Sequence, residues 1–125
     1  MGYKTFEDLE AYQLARELRK EIFKLIKLLP EEEKYNLASQ MRRAATSLTN
    51  NIAEGHGRFH YQENIQFCRQ SRGSLSELIG DLNICHDEGY FPDKYLSELK
   101  DHAYRLNQCI NGYIGYLRNR KAEDA

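Results

Sequence analysis

Residues 37–57 read LASQMRRAATSLTNNIAEGHG. Leu37, Met41, Ala44, Leu48 and Ile52 recur at spacings of three and four, which keeps them on one face of an α-helix. One residue ahead of that stripe runs a polar row, Gln40, Arg43, Ser47, Asn51 and Glu54, again at helical spacing. Gly55 is placed as a C′ residue, and His56-Gly57 continues the break. A helix of this kind buries one stripe and needs partner helices to bury it against.

The flanking sequence supplies three such partners. Upstream, Ala11, Ala15, Leu18, Ile22, Leu25 and Leu29 alternate by four and three. Thr5 and Asp8 resemble a capping box at the start of that segment, and Pro30 stops it. Glu31, Glu32 and Glu33 then suit the positive end of the second helix. Downstream, Ile65, Cys68, Leu75, Leu78, Leu82 and Cys85 line one side of a third helix that Gly89 closes. Pro92 or Asp93 opens a fourth, with Leu99, Ala103, Leu106, Ile110, Tyr113 and Leu117 as its stripe. Arg118, Arg120 and Lys121 sit at its negative end, as the dipole prefers. The expected fold class is all-α, an antiparallel up-down-up-down four-helix bundle. It forms one domain over 1–125, with helices at about 6–29, 31–54, 61–87 and 93–119.

Composition agrees. The chain has no Val and only two Pro, which argues against strands. Cys68, Cys85 and Cys109 are odd in number and sit among apolar neighbours, as free thiols acting as small hydrophobes do. The opening MGYKTFEDLE has no apolar signal region and no stretch approaches about 18 apolar residues, so a cytoplasmic protein without membrane contact is expected. Gly2 and Phe6 do not fit the myristoylation pattern.

The third helix carries a second polar row: Gly73, Ser74, Glu77, Gly80 and Asp81. Two glycines seven residues apart each cost about 1 kcal/mol of helix stability relative to Ala, which is consistent with another backbone coming close. The polar rows are either solvated faces or packing surfaces, within the bundle or between subunits, with Arg43 paired to Glu54 or Glu77.

These residues resemble one family. Leu29-Pro30, Leu37, Gln40, Arg43-Ala44, Ser47, the Asn51 to Gly55 string NIAEG, Phe67, and Gly73-Ser74-Leu75 with Glu77-Leu78 are similar to the bacterial four-helix bundle proteins. These are also called ribosomal RNA intervening-sequence proteins. Phe6-Glu7-Asp8-Leu9 fits their opening, while Cys68 and Ser71 stand where Leu and Ala are more usual. The resemblance implies an antiparallel bundle assembled as a homopentameric ring. It implies little about activity. A related branch, the accessory proteins of diversity-generating retroelements, is basic and binds nucleic acid, whereas this chain has a net charge of −1.

Catalytic and metal patterns are missing from the sequence. No Glu-x-x-His occurs, His56 and His60 flank a loop, and Ser47, Ser71 and Ser74 have no neighbouring His. No Arg precedes a His at the spacing that all-helical nucleases use, and Gly55-His56-Gly57 is too short for a phosphate loop. No enzyme, cofactor or metal is expected.

Nucleic-acid binding rests on local charge. Between Gln40 and Ser74, Arg42, Arg43, Arg58, Arg69 and Arg72 stand against Glu54 and Glu63, so this stretch is +3 and the rest of the chain is −4. Arg42, Arg58, Arg69 and Arg72 are the candidate phosphate contacts, with Phe59 and Tyr61 able to stack on bases. Taken singly, each of these is equally readable as an ordinary surface or packing residue. Tyr3, Tyr12, Tyr35, Tyr90, Tyr95, Tyr104 and Tyr116 exceed what one small bundle can enclose, which favours oligomerisation. The expected function is therefore a non-enzymatic homo-oligomeric binding or scaffold protein for structured RNA or a nucleoprotein. The alternative is an adaptor that binds only protein.

Overall fold

The computed structural model describes residues 5–124, so Tyr3 lies outside the described residues. Four helices form the bundle: α1 (Glu10–Lys27), α2 (Leu37–His56), α3 (Tyr61–Asp87) and α4 (Asp93–Glu123), with no strand among the described residues. Each helix packs on the two adjacent to it in the ring α1-α2-α3-α4, and the diagonal pairs do not meet. That is the antiparallel up-down-up-down arrangement. The α2–α3 contact is the most extensive and α1–α4 the least.

The periodic stripes form the core. Ala15, Leu18, Ile22, Leu25, Met41, Leu48, Ile52, Leu75, Leu82 and Leu106 are fully enclosed. Leu9, Ile26, Ala45, Leu96 and Ile114 join them. Two expected stripe members differ: Leu29 and Tyr113 are half-buried, because Leu29 lies beyond the end of α1 and Ile114 takes the inward position on α4. Burial pushes the Cys68 thiol up to about 12 and the Cys85 thiol up to about 11, leaving both protonated and chemically quiet.

Element ends moved for local reasons. The Thr5–Asp8 capping box is present, but it caps a one-turn 3-10 helix over Phe6–Asp8. Leu9 is extended there (ψ 130°), so α1 begins only at Glu10. The three glutamates likewise form a separate 3-10 turn, and α2 starts at Leu37, the first apolar residue the core can take. Gly55 lies inside α2 and is not its C′ residue. A Cβ there would stand 2.7 Å from Asn64 Oδ1 and 2.8 Å from Phe67 Cβ, so this glycine allows α3 to approach α2. The genuine C′ glycine is Gly89, at φ 68°. Its N–H bonds His86 O while Tyr90 N–H bonds Cys85 O, both at 3.0 Å, which is a Schellman closure of α3.

Candidate nucleic-acid interface

The polar rows of α2 and α3 meet. The Ser74 hydroxyl donates to the Ser47 hydroxyl at 2.9 Å, and Asn51 Nδ2 donates to the same Ser47 oxygen at 2.9 Å. One turn away, the buried Ser71 hydroxyl donates to the Leu48 carbonyl at 2.6 Å. These bonds set the α2–α3 register. Ser71 needs its hydroxyl for this, which accounts for its place where an apolar residue is usual.

The charged members of the rows do not pair as expected. Glu54 takes Arg58 at 2.7 Å, and Arg43 forms no ion pair with Glu54 or Glu77. Gln40 bonds its own helix entry, at Asn36. Gly73 and Gly80 have nothing within 4 Å of where a Cβ would stand, so no backbone of this chain approaches them. Asp81 is only 4% exposed and its Oδ2 has no partner among the described residues. Burial, and then the nearby Glu77 charge, push its carboxyl up to about 6.

The candidate arginines fall in three places. Arg58 lies over the Phe67 ring and is held by Glu54 at 2.7 Å and Glu63 at 4.0 Å, so its charge is largely offset. Phe59 and Tyr61 are beside it at the α2–α3 corner, Phe59 almost wholly exposed and Tyr61 half-buried. Arg42 is sixteen residues before Arg58, about 24 Å along the helix axis, and stacks on Phe23 of α1. It does not join the others. Arg69 and Arg72 lie on the side of α3 that faces α4.

That α3–α4 flank gathers the free positive charge. Arg72 Nη1 donates to Asn111 Oδ1 at 2.8 Å, Lys100 Nζ to Asn83 Oδ1 at 2.8 Å, and Lys121 Nζ to Gln62 Oε1 at 2.7 Å. These three bonds bring together two rows of residues. On α3 the row is Gln62, Arg69, Arg72, Ser76 and Asn83; on α4 it is Lys100, Tyr104, Asn111 and Arg118, ending at Lys121. Neither row contains an acidic residue. Lys100, Arg69, Arg72, Arg118 and Lys121 form no ion pair among the described residues, and three of them bond only neutral amides. Asp93 and Asp101 share a cleft with Lys100, and Asp124 shares one with Lys121, so the stretch without nearby carboxylates is the middle of the flank, at Arg69, Arg72 and Arg118. At the Tyr61 end, a hydrogen bond from Arg120 to the Tyr61 side chain further stabilises the charged guanidinium.

Lys100, Arg118 and Lys121 join the candidate residues only in the folded structure, since Arg118 and Lys121 read in the sequence as partners of the helix dipole. Of the tyrosines, Tyr12, Tyr90 and Tyr95 pack against the core, while Tyr35, Tyr104 and Tyr116 are exposed. No group of three metal-ligating side chains occurs among the described residues. No helix of the described residues is long and apolar enough to cross a membrane.

Fold and flank together define a small four-helix bundle with a locally cationic flank and no group of three metal-ligating side chains among the described residues. Residues 7–112 match the family described as 23S rRNA-intervening sequence protein, and the chain belongs to that family. A solved structure from Bacteroides thetaiotaomicron shares the fold. It is of a protein with unknown function from the S23 ribosomal protein family, with a TM-score of 0.77 at 18% identity over 83% of this chain and 97% of that one. No curated protein matches the chain.

Proposed function

We propose that this protein is a non-enzymatic, homo-oligomeric scaffold, a homopentamer, that binds structured RNA along the α3–α4 flank of each subunit. The observation that carries the reading is the set of five cations without carboxylate partners, Lys100, Arg69, Arg72, Arg118 and Lys121, lined up on one seam. What distinguishes the flank is the alignment of these cations across two facing helices, with Arg72, Lys100 and Lys121 each held by a neutral amide. A row that keeps its charge suits a polyanion, because each neutralised phosphate releases a counterion. Phe59 and Tyr61 at the end of the row offer stacking surfaces for an unpaired base. Assembly is supported by the open faces at Gly73 and Gly80 and by the exposed Arg43 and Tyr116. Repeating the seam around a ring multiplies a modest single-site affinity.

Light scattering reports the assembly, and anisotropy of a labelled RNA hairpin at about 50 mM salt reports binding. A pentamer with submicromolar affinity, weakened at least tenfold by the combined Arg69→Glu and Lys121→Glu variant, supports the reading. Unchanged affinity in that variant rejects the seam. Recovery of one stoichiometric protein partner, with nothing nuclease-sensitive, replaces it with the protein-binding adaptor.

A further inference from the structure

The α1–α2 elbow, at the opposite end of the bundle from Tyr61, holds a second cationic feature that the seam does not include. It is a cleft of about 470 Å³ whose walls include Lys27, Leu29, Lys34, Tyr35, Ser39 and Arg42. Three cations line it against one carboxylate, Glu31, which Lys34 meets only at 3.9 Å. Lys27 and Arg42 have no ion pair among the described residues. Arg42 rests over the Phe23 ring at 4.7 Å, which holds the guanidinium in place while its N–H groups remain unbonded. A guanidinium lying on a ring in this way keeps its planar fork of N–H groups open to an anion. Leu29, Ile26 and Ala38 supply an apolar floor, and Tyr35, 87% exposed, presents its ring at the rim. The Ser39 hydroxyl has no protein partner among the described residues, and the first turn of α2 beside it has no side-chain cap.

An inorganic anion would use the cations and leave the apolar floor and the tyrosine wet. A neutral ring compound would use the floor and leave three charges unanswered. We infer that the elbow binds a nucleotide, with its phosphate against Arg42, Lys27 and Lys34 and its base over the apolar floor and the Tyr35 ring. The same unit can arrive free or as the phosphorylated end of a strand. This inference does not depend on the α3–α4 seam.

Equilibrium dialysis of the full chain against 5′-AMP and 5′-GMP tests it, with adenosine and inorganic phosphate as controls. Saturable nucleotide binding with Kd below about 1 mM is expected, with both controls at least tenfold weaker. Arg42→Glu and, separately, Lys27→Glu should each weaken nucleotide binding at least tenfold while their melting temperatures stay near the parent's. Arg72→Glu, on the seam, should leave it unchanged. A 5′-phosphorylated pentanucleotide separates the two sources. Tighter binding than 5′-AMP, still lost in Arg42→Glu, identifies a strand end; equal or weaker binding identifies the free nucleotide. Absence of saturation, phosphate binding as tight as nucleotide binding, or binding that survives both elbow substitutions overturns the inference.

Discussion

Arg72 donates across the α3–α4 seam to Asn111 at 2.8 Å, and no carboxylate accompanies the pair. A neutral amide orients the guanidinium without cancelling its charge, whereas Glu54 both orients and cancels Arg58. The same residue type therefore does two different jobs on one small bundle.

That contrast predicts unequal effects of similar substitutions. Arg72→Gln should weaken RNA binding about threefold or more, by removing one uncompensated phosphate contact. Arg58→Gln should change binding less than twofold and act instead on stability, because Arg58 covers Phe67 and pairs with Glu54 and Glu63. Anisotropy titrations and thermal melts of the two variants separate these outcomes.

The glycines should divide in the same way. Gly55→Ala forces a Cβ into Asn64 and Phe67 and should cost about 1–3 kcal/mol of stability, as overpacking does. Gly73→Ala and Gly80→Ala meet nothing in the chain and, as helix-interior substitutions, should stabilise an isolated subunit by about 0.5–1 kcal/mol each. If either position lies in a subunit contact, its Ala variant should elute as a smaller species while remaining helical. Denaturant melts and size-exclusion chromatography provide both readings.

Asp81 makes stability depend on pH in a direction opposite to the usual acid response. Its carboxyl titrates near 6 when folded, above the ordinary 3.8, so the folded state holds the proton more tightly. Its contribution is greatest below about pH 4 and declines as pH rises through 6, by on the order of 1–3 kcal/mol. Asp81→Asn should remove this decline and raise the melting temperature at pH 7.5 while changing it little at pH 4. Parallel pH profiles of the two melts that never converge would exclude Asp81 as the cause.

The bundle was legible because burial writes itself as periodicity. The stripe Leu37, Met41, Ala44, Leu48, Ile52 needs no tertiary knowledge to be placed on one face. Helix entry was less legible, since Glu31–Glu33 carry the composition of a helix start but nothing apolar to bury before Leu37. Gly55 read as a stop because the residues that require it, Asn64 and Phe67, become its neighbours only when α3 folds back. The seam failed for the same reason. Lys121 and Gln62 are 59 residues apart, and their 2.7 Å contact exists only in the antiparallel pair. Arg42, grouped by sequence with Arg58, is carried by the helix rise to the other end of the molecule.

The most direct test of the seam is the salt dependence of hairpin RNA binding, measured between about 50 and 200 mM salt for the parent and for the Arg69→Glu, Lys121→Glu variant. Five phosphate contacts per subunit predict a log–log slope near −4 per bound segment, hence a loss of roughly 250-fold across that range, and a clearly shallower slope in the variant. A flat salt response in the parent, or identical slopes in both proteins, would contradict the account.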